Sequence, residues 1–255
     1  MSYKLIAVDM DGTLLNKNKD ISEENIRAIR EASELGIKVI LSTGRPIGEV
    51  RSYARKLQLD LPLVVNNGSE IWSNPDKLHQ RYELEPEHMI EMFELIGKYG
   101  EDLNYWAHTV EGLITRANHP EDIRKVRWLQ FAIQSKDVSR LSEIRQRLDA
   151  WRRFELSNSH ISNVECNPPG ISKASGLREV CAMLGIEASD TVAIGDSLND
   201  IPMIRFAGLG VAMGNAQEPV KLAADIVAPS YHEDGVAAVI QKYLLAPSGP
   251  APIDE

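Results

Sequence analysis

The chain has 255 residues, of which 43% are hydrophobic and 25% charged, a composition typical of globular proteins and not of disordered ones. Its net charge of −9 disfavours nucleic acid as a partner, because such binding depends on clustered Lys and Arg side chains. Two well-separated cysteines, Cys166 and Cys181, predict neither a disulfide framework nor a zinc site. Without a secretory signal or an apolar run of the ~18 residues that cross a membrane, we expect a cytoplasmic protein with no membrane partner.

The first 72 residues alternate short apolar runs with longer amphipathic segments. Apolar positions recur at helical spacing in ISEENIRAIREASELG, which ends on Gly36, and this pattern predicts a helix. A second helix is predicted over RPIGEVRSYARKLQL, and strands are predicted over LIAVD, IKVILST and LPLVV. Strands separated by helices of this length form parallel βαβ units.

The alternation of short apolar runs with longer amphipathic segments returns after about residue 170. The predicted elements are a helix over 173–184, a strand TVAIGD, a helix over 199–206, a strand GLGVAMG, a helix over 216–224 and a closing helix VAAVIQKYLL. We therefore expect an α/β core with a parallel sheet, built from two separate stretches of chain. The last ten residues, APSGPAPIDE, predict a frayed or disordered end.

Residues 81–166 show a different pattern. Helix-like segments (PEHMIEMFELIGKYG, VSRLSEIRQRLDAW) mix with shorter strand-like segments (LNYWAH, GLITR, RRFELS, ISNVEC). We interpret this stretch as an α+β domain inserted into a discontinuous core formed by residues 1–80 and 167–255. A core with a smaller inserted domain also accounts for a chain longer than the usual single domain.

Polar residues follow three of the predicted core strands: LIAV leads into DMDGT, KVIL into STGR and TVAI into GDSLND. The carboxyl ends of parallel strands lie at one edge of a sheet, so we expect these segments to converge. Aspartates brought together there, namely Asp9, Asp11, Asp196 and Asp200, would require protons or a cation, and Mg²⁺ prefers such oxygen ligands. Asp-Gly and Asn-Asp also form ordinary turns, but three acidic or polar clusters at one edge favour a metal site.

These segments carry a family resemblance. VDMDGTLL, STGR, the Lys in GISKASGL and GDSLNDIPM resemble, in this order, the four motifs of the haloacid dehalogenase superfamily. The insertion between the second and third motifs resembles that of its Cof-type phosphatases. The resemblance covers the whole core and implies an α/β fold, in which a Rossmann-like parallel sheet has helices on both faces and an inserted α+β cap domain covers the site.

The resemblance also implies roles for the acidic residues. Asp9 would be the nucleophile that forms an aspartyl-phosphate. Asp11 would protonate the leaving alcohol, later activate water, and offer its backbone carbonyl to Mg²⁺. Asp9 and Asp196 would bind the metal through carboxylates, and Asp200 would orient metal-bound waters.

Further positions match the groups with which this superfamily holds phosphate. They are the backbone amides of Met10 and Gly44, the Thr43 hydroxyl, the Lys173 ammonium and the Asn199 amide. A single Lys at a helix start is ordinarily a solvated side chain, so Lys173 depends on its place in the four-motif pattern. Asn67 and Arg45 are weaker candidates for substrate contact: Asn66-Asn67-Gly68 also predicts a plain hairpin turn, and an exposed Arg45 could merely pin its loop.

The cap contains a polar and aromatic group of residues that would suit a sugar or a heterocycle: Trp106, His108, Arg116 and His119. Ordinary cap core and surface positions explain the same residues more simply.

The sequence thus predicts a Mg²⁺-dependent phosphatase that hydrolyses a small phosphorylated metabolite, such as a sugar phosphate or a phosphorylated coenzyme precursor. A sugar phosphomutase shares the aspartyl-phosphate and stays an alternative. A phospho-accepting regulatory protein would explain one acidic cluster and a distant Lys, but it gives no purpose to Asp11 or to the cap. The physiological substrate and the oligomeric state do not follow from the sequence.

Overall fold

The structure, a computed structural model, describes residues 3–100 and 103–245, so the predicted frayed segment APSGPAPIDE lies outside the described residues. Within these ranges no helix has the length and apolar character needed to cross a bilayer. The described strands are β1 Leu5–Val8, β2 Lys38–Leu41, β3 Leu63–Val65, β4 Glu70–Asn74, β5 Lys77–Arg81, β6 Asn104–Thr109, β7 Gly112–Thr115, β8 Trp128–Gln134, β9 Glu155–Ser157, β10 Asn163–Asn167, β11 Thr191–Gly195, β12 Leu209–Ala212 and β13 Ile226–Val227. The described α-helices are α1 Glu23–Glu34, α2 Ile47–Lys56, α3 Pro86–Gly97, α4 Val138–Trp151, α5 Lys173–Leu184, α6 Ile201–Phe206, α7 Glu218–Ala223 and α8 Gly235–Ile240.

The core is a five-stranded parallel sheet in the order β13-β12-β11-β1-β2, as the βαβ pattern predicts. Strand β1, which lies between β11 and β2, is fully buried, because both of its faces are covered. Ile6 and Val8 pack on one face with α1, α2 and α8, whereas Leu5 and Ala7 pack on the other face with α5. A strand covered on both faces has a continuous apolar sequence. This is why LIAV could be predicted as a buried strand.

The third predicted parallel strand is only partly confirmed. LPLVV forms β3, but β3 joins the parallel sheet through a single bridge between Ser42 and Val64. Its main pairing is antiparallel to β4, which pairs in turn with β5. Residues Asn66–Gly68 form the turn between β3 and β4, so the predicted hairpin turn is present.

The segment between β5 and α5, which the sequence predicts as the cap and which is called the cap below, contains a second, antiparallel sheet in the order β7-β6-β8-β10-β9. Helices α3 and α4 cover one of its faces and bury an apolar core that includes Ala107, Phe131 and Cys166. The register places Trp106, Ala132 and Glu165 in one row on the opposite face. One face of the cap sheet is therefore apolar, and the other carries the polar and aromatic side chains.

Predicted and observed helix bounds agree best for α4 and α5. Helices α4 and α5 span the predicted residues 138–151 and 173–184. Helix α6 begins two residues later than predicted, because Leu198–Asp200 form a 3₁₀ turn. Helix α7 is shorter than predicted, and the closing segment is α-helical to Ile240 and then a π-helix over Gln241–Leu245.

Candidate active site

The three polar segments converge at the carboxyl edge of the core sheet. Val8 at the end of β1 is paired with Ile194 on β11 and with Leu41 on β2, so the residues after these strands emerge side by side. Asp9, Asp196 and Asp200 each offer a carboxylate oxygen, and these oxygens lie within 4.8 Å of one another. Residues nearly two hundred positions apart thus form one acidic cluster.

Lys173 occupies the centre of this cluster. Its ammonium Nζ lies 2.6 Å from Asp9 Oδ1 and 2.6 Å from Asp200 Oδ1, and the side chain is only 1% exposed. Burial by itself would lower the pKa of Lys173, but the Asp200 and Asp9 carboxylates raise it, so the side chain stays charged. Helix α5 presents Lys173 as its first residue, directly after the N-cap residue Ser172. The Lys predicted for phosphate binding therefore lies in the site.

Asp200 organises the loop that carries Asp196. Its Oδ2 accepts hydrogen bonds from the backbone N–H groups of Asp196 and Ser197, both at 2.9 Å, while its Oδ1 binds Lys173. Both oxygens of this buried carboxylate therefore already have partners. The arrangement suits the supporting role predicted for Asp200 better than a role as a direct metal ligand.

The cluster carries more negative charge than Lys173 neutralises. Burial raises the pKa of Asp9 to about 7, with Lys173 opposing the shift and Asp200 adding to it. Burial and the neighbouring Asp9 and Asp200 carboxylates raise the pKa of Asp196 to about 8. Oxygen donors that repel one another at this distance suit a small divalent cation such as Mg²⁺. Gly12 permits the close approach: its φ is +81°, and a Cβ there would lie 2.4 Å from Asp196 Oδ2.

Asp11 lies at the mouth of the site and is paired with two cations. Arg45 donates from Nε to Oδ2 at 2.6 Å and from Nη2 to Oδ1 at 2.8 Å, and Lys19 Nζ lies 2.6 Å from Oδ1. Burial pulls the pKa of Asp11 upwards, but the bonds from Arg45 and Lys19 outweigh it and lower the pKa to about 2. Arg45 thus pins the loop through Asp11, which was one of its two predicted roles. Lys19, in a left-handed conformation at φ 63°, was not anticipated.

A cavity of about 350 Å³ opens over Asp9 and Asp196, and Thr43, Gly44 and Asn199 line it. These three were predicted to hold phosphate. The Met10 side chain is fully buried in the hydrophobic core, so only its backbone remains for the predicted contact.

Asn67 lies behind the cavity wall. Its Nδ2 donates to Glu165 Oε2 at 2.8 Å, and its Oδ1 accepts from Asn199 Nδ2 at 3.1 Å. The side chain is 2% exposed, and Asn67 is not among the described residues that line the cavity. The structure therefore places the Asn67 side chain against Asn199, which lines the cavity.

Glu165 is, besides Lys19, a residue of this region that the sequence analysis missed. Its carboxylate is buried and accepts hydrogen bonds from Gln130 Nε2 at 3.2 Å, from Asn163 Nδ2 at 3.0 Å and from the Ser159 hydroxyl, besides Asn67. A signal was present in the segment NVECN: polar Asn163, Glu165 and Asn167 alternate with apolar residues, and all three are buried. Such alternation predicts a strand with one apolar face and one buried polar face.

The cap forms the wall opposite the core carboxylates. Trp106 and His108, two residues apart on β6, line the cavity together with Glu165, and their rings lie 4.8 Å apart between centroids. His119 lies elsewhere: its Nδ1 is 2.9 Å from the Tyr105 hydroxyl, and its ring packs on Phe93. Arg116 donates to the Leu103 carbonyl at 2.8 Å. Only two of the four cap candidates thus reach the catalytic cavity.

Comparison with known proteins now identifies the family. A family model described as haloacid dehalogenase-like hydrolase matches residues 6–136 and 114–240. The chain belongs to this family. The enzyme is a phosphatase, as its named relatives are.

The relatives of this haloacid dehalogenase-like hydrolase cover nearly its whole length. A 5-amino-6-(5-phospho-D-ribitylamino)uracil phosphatase of Bacillus subtilis, YcsE, is 44% identical over 96% of this chain and 97% of its own. A second phosphatase of the same name from B. subtilis, YitU, is 30% identical over 94% of this chain and 97% of its own. A solved haloacid dehalogenase-like hydrolase from B. subtilis superposes with a TM-score of 0.85 at 26% identity, covering 94% of this chain and 99% of that one.

Proposed function

We propose that this phosphatase depends on Mg²⁺ and works through an aspartyl-phosphate on Asp9. The observation that carries the proposal is the convergence of the Asp9, Asp196 and Asp200 carboxylates around Lys173, beneath a cavity large enough for a phosphorylated metabolite. The raised pKa values of Asp9 and Asp196 support a cation in this place, because they reflect burial of carboxylates beside one another, which a divalent ion would offset.

In the first step, a carboxylate oxygen of Asp9 attacks phosphorus while the bond from phosphorus to the leaving oxygen breaks. Asp11 supplies the proton to the leaving oxygen, so an alcohol departs. Because Arg45 and Lys19 hold both oxygens of Asp11 and keep it ionised, that carboxylate must first release part of this pairing and take up a proton from water. In the second step, Asp11 takes a proton from a water that attacks the phosphorus, which releases inorganic phosphate and restores Asp9.

The remaining residues bind and orient the phosphoryl group. Thr43, Gly44 and the Met10 backbone surround it from the core loops, while Lys173 and Asn199 supply donors from the other side. Mg²⁺, held by the Asp9 and Asp196 carboxylates and the Asp11 carbonyl, would neutralise charge on the phosphoryl oxygens when bound.

We further propose that residues 81–166 act as a cap over a core of residues 1–80 and 167–255. Cap residues Trp106, His108 and Glu165 form the wall opposite the catalytic carboxylates, which supports exclusion of bulk water during the reaction. A site covered in this way admits small metabolites. The cytoplasmic location and the absence of a nucleic-acid partner stay predictions.

For the substrate, we propose a small phosphate monoester of the phosphorylated coenzyme precursor class. The name of the relative at 44% identity supports 5-amino-6-(5-phospho-D-ribitylamino)uracil as the first compound to assay. In that compound a ribityl chain joins the phosphate to a uracil ring.

Release of inorganic phosphate from an aryl phosphate tests the proposed chemistry. We expect EDTA to abolish turnover, Mg²⁺ to restore it, and Asp9→Asn to remove it, while the exposed control Asp60→Asn retains full activity. Turnover that is indifferent to EDTA would reject the metal assignment. Formation of an isomerised sugar phosphate instead of free phosphate would support the phosphomutase alternative.

A further inference from the structure

A second cavity adjoins the catalytic one. It has a volume of about 390 Å³ and lies between the first turn of α2 and the β6–β7 hairpin of the cap. Its walls are mainly apolar and include Ile47, Trp72, Val110, Leu113 and Leu129. The catalytic mechanism uses none of these residues.

The two cavities are neighbours. They share Pro46, Glu49 and His108 as wall residues. A ligand that occupies both cavities would therefore pass along these shared residues.

Leu113 is an exposed apolar residue in the wall of the second cavity. It lies on β7 and is 55% exposed, although large apolar side chains are usually covered. Leu113 borders the second cavity, so an apolar ligand surface placed there would cover it.

A polar group closes one side of the same cavity. Glu70 is 2% exposed and accepts hydrogen bonds from Arg81 Nε at 2.7 Å and from Trp72 Nε1 at 3.3 Å. Asn66, which also lines the cavity, has its Oδ1 2.9 Å from His108 Nδ1. Apolar walls with a few polar groups are the usual form of a small-molecule site. A flat ring with polar edge groups would fit such a lining.

We propose that the second cavity is a ring subsite, which binds the heterocyclic end of the substrate's leaving group. The inference rests on the proposed function, because it requires the phosphate to lie at Asp9. A substrate made of a phosphate, a short polyhydroxy chain and a flat ring would then occupy both cavities, with the chain crossing the shared wall at His108. The ring subsite selects the leaving group, whereas the core loops hold only the phosphate.

The test compares two esters that differ in the ring: 5-amino-6-(5-phospho-D-ribitylamino)uracil and ribitol 5-phosphate. In the wild type we expect kcat/KM to be at least ~10-fold higher for the ring-bearing ester. Leu113→Asn should lower kcat/KM for that ester by about 10-fold, mainly through KM, and leave ribitol 5-phosphate unchanged. The substitution adds no charge, so an altered attraction for phosphate cannot produce this difference.

Leu222→Asn is the matched control. Leu222 is 80% exposed on α7 and lines neither cavity among the described residues, so its replacement should leave both esters unaffected. Gly48→Leu approaches the ring subsite from the core side: a Cβ at this exposed position meets no atom within 4 Å, so the change should narrow the cavity without straining α2. Gly48→Leu should also lower kcat/KM for the ring-bearing ester and leave kcat/KM for ribitol 5-phosphate unchanged.

Equal kcat/KM for the two esters in the wild type, or an equal loss for both in Leu113→Asn, would overturn the ring subsite while leaving the phosphatase intact. Failure of the proposed function gives a different result. In that case neither ester, nor an aryl phosphate, releases phosphate with Mg²⁺ present.

Discussion

At the scale of single residues, Asp11 differs from the buried carboxylates of the cluster in its exposure and in its partners. Asp9 and Asp200 are buried against Lys173, but Asp11 keeps a side chain that is 40% exposed and is bound by Arg45 and Lys19. The two carboxyls of the DMD segment therefore meet different surroundings, although only one residue separates them. Different surroundings allow different roles. The proposed roles, nucleophile for Asp9 and acid or base for Asp11, require a cation that keeps Asp9 ionised and a release of Asp11 from Arg45 and Lys19.

Asp11→Asn tests that division of roles. We expect the variant to fold and to lose about 10²-fold or more in turnover, because an amide cannot carry the proton to the leaving oxygen. The measurement is steady-state phosphate release from an aryl phosphate, with circular dichroism as the check on folding. Unchanged turnover would remove Asp11 from the mechanism.

Asn67 supports the site through an orientation that its partners dictate. A carboxylate only accepts hydrogen bonds, so Glu165 fixes the NH₂ end of the Asn67 amide, and the Asn67 carbonyl then faces the NH₂ group of Asn199. In this way a cap residue sets the orientation of an amide predicted to hold phosphate. Asn67 and Asn66 adopt left-handed backbone conformations, which Asn tolerates better than most residues.

Asn67→Ala should therefore affect both stability and catalysis. Because it removes one hydrogen bond from the buried Glu165 carboxylate and the acceptor of the buried Asn199 Nδ2, we expect the free energy of unfolding in urea to fall by about 2 kcal/mol. KM for the phosphate ester should rise as Asn199 loses its fixed orientation. The exposed Asn104→Ala serves as the control, and a variant as stable and active as that control would contradict the supporting role.

At the scale of elements, helix α5 has two functions that its sequence combines. Its N-terminus places Lys173 in the site, where Ser172 and Ser175 form a capping box. Its body packs closely on the strands beneath it, since Gly176 would, with a Cβ, lie 2.5 Å from Val64 Cγ1 and 3.0 Å from Ile71 Cδ1. The close packing is the reason a glycine occupies the middle of a helix.

Gly176→Ala is expected to destabilise the protein by about 1–3 kcal/mol in urea unfolding, because the added methyl group overpacks a buried contact. Helix propensity alone predicts the opposite sign, a gain of about 1 kcal/mol. Gly97→Ala is the matched control: at the last residue of α3 a Cβ meets no atom within 4 Å, so this variant should be as stable as the wild type or more so. If Gly176→Ala and Gly97→Ala change the free energy of unfolding equally, the residues around Gly176 can move to accommodate the added methyl group.

Three strands were missed or misplaced when elements were predicted from the sequence pattern. Strand β8, WLQFAIQ, was not predicted, since six of its seven residues are buried and the alternation that marks a half-exposed strand is absent. Strand β5, KLHQR, lies at the edge of its sheet and is mostly exposed, so it lacks an apolar pattern. The predicted strand RRFELS begins only at Glu155, because Arg152 ends α4 in a left-handed conformation.

At the scale of the whole molecule, His108 joins the cap to the core. It lies on cap strand β6, its Nδ1 is 2.9 Å from Asn66 Oδ1 in the β3–β4 turn, and both cavities include it in their walls. Burial lowers the pKa of His108 from 6.5 to about 4, although a hydrogen bond with Gln130 opposes the shift. The folded protein therefore keeps this ring neutral at physiological pH.

This shift gives the unfolding free energy a defined pH dependence. Between about pH 6.5 and pH 4 the unfolded chain binds a proton at His108 and the folded protein does not. The stability contribution of this residue is thus fully present above pH 6.5 and is lost as the pH falls towards 4. We expect the stability of the wild type to decline relative to His108→Asn over this window, and the difference between them to be constant above pH 7. If urea unfolding gives the same difference in unfolding free energy between the wild type and His108→Asn at every pH from 7.5 to 5, the lowered pKa of His108 is contradicted.

The sequence by itself determined the parallel core, the order of its elements and the edge at which the chemistry lies. That inference was possible because buried parallel strands are continuous apolar runs, and whatever follows them emerges at one edge. It also determined the family, through four short segments whose order along the chain is specific.

Only the tertiary structure decided which side chains from distant parts of the sequence meet. The bond between Asn67 and Glu165 joins residues 98 positions apart, and Asp11 and Arg45 are 34 apart, so no local periodicity reports either pair. The second cavity likewise exists only where the cap hairpin faces α2. The physical reason is that hydrophobic periodicity records how each segment is buried, whereas partners and cavities depend on how separate segments pack together.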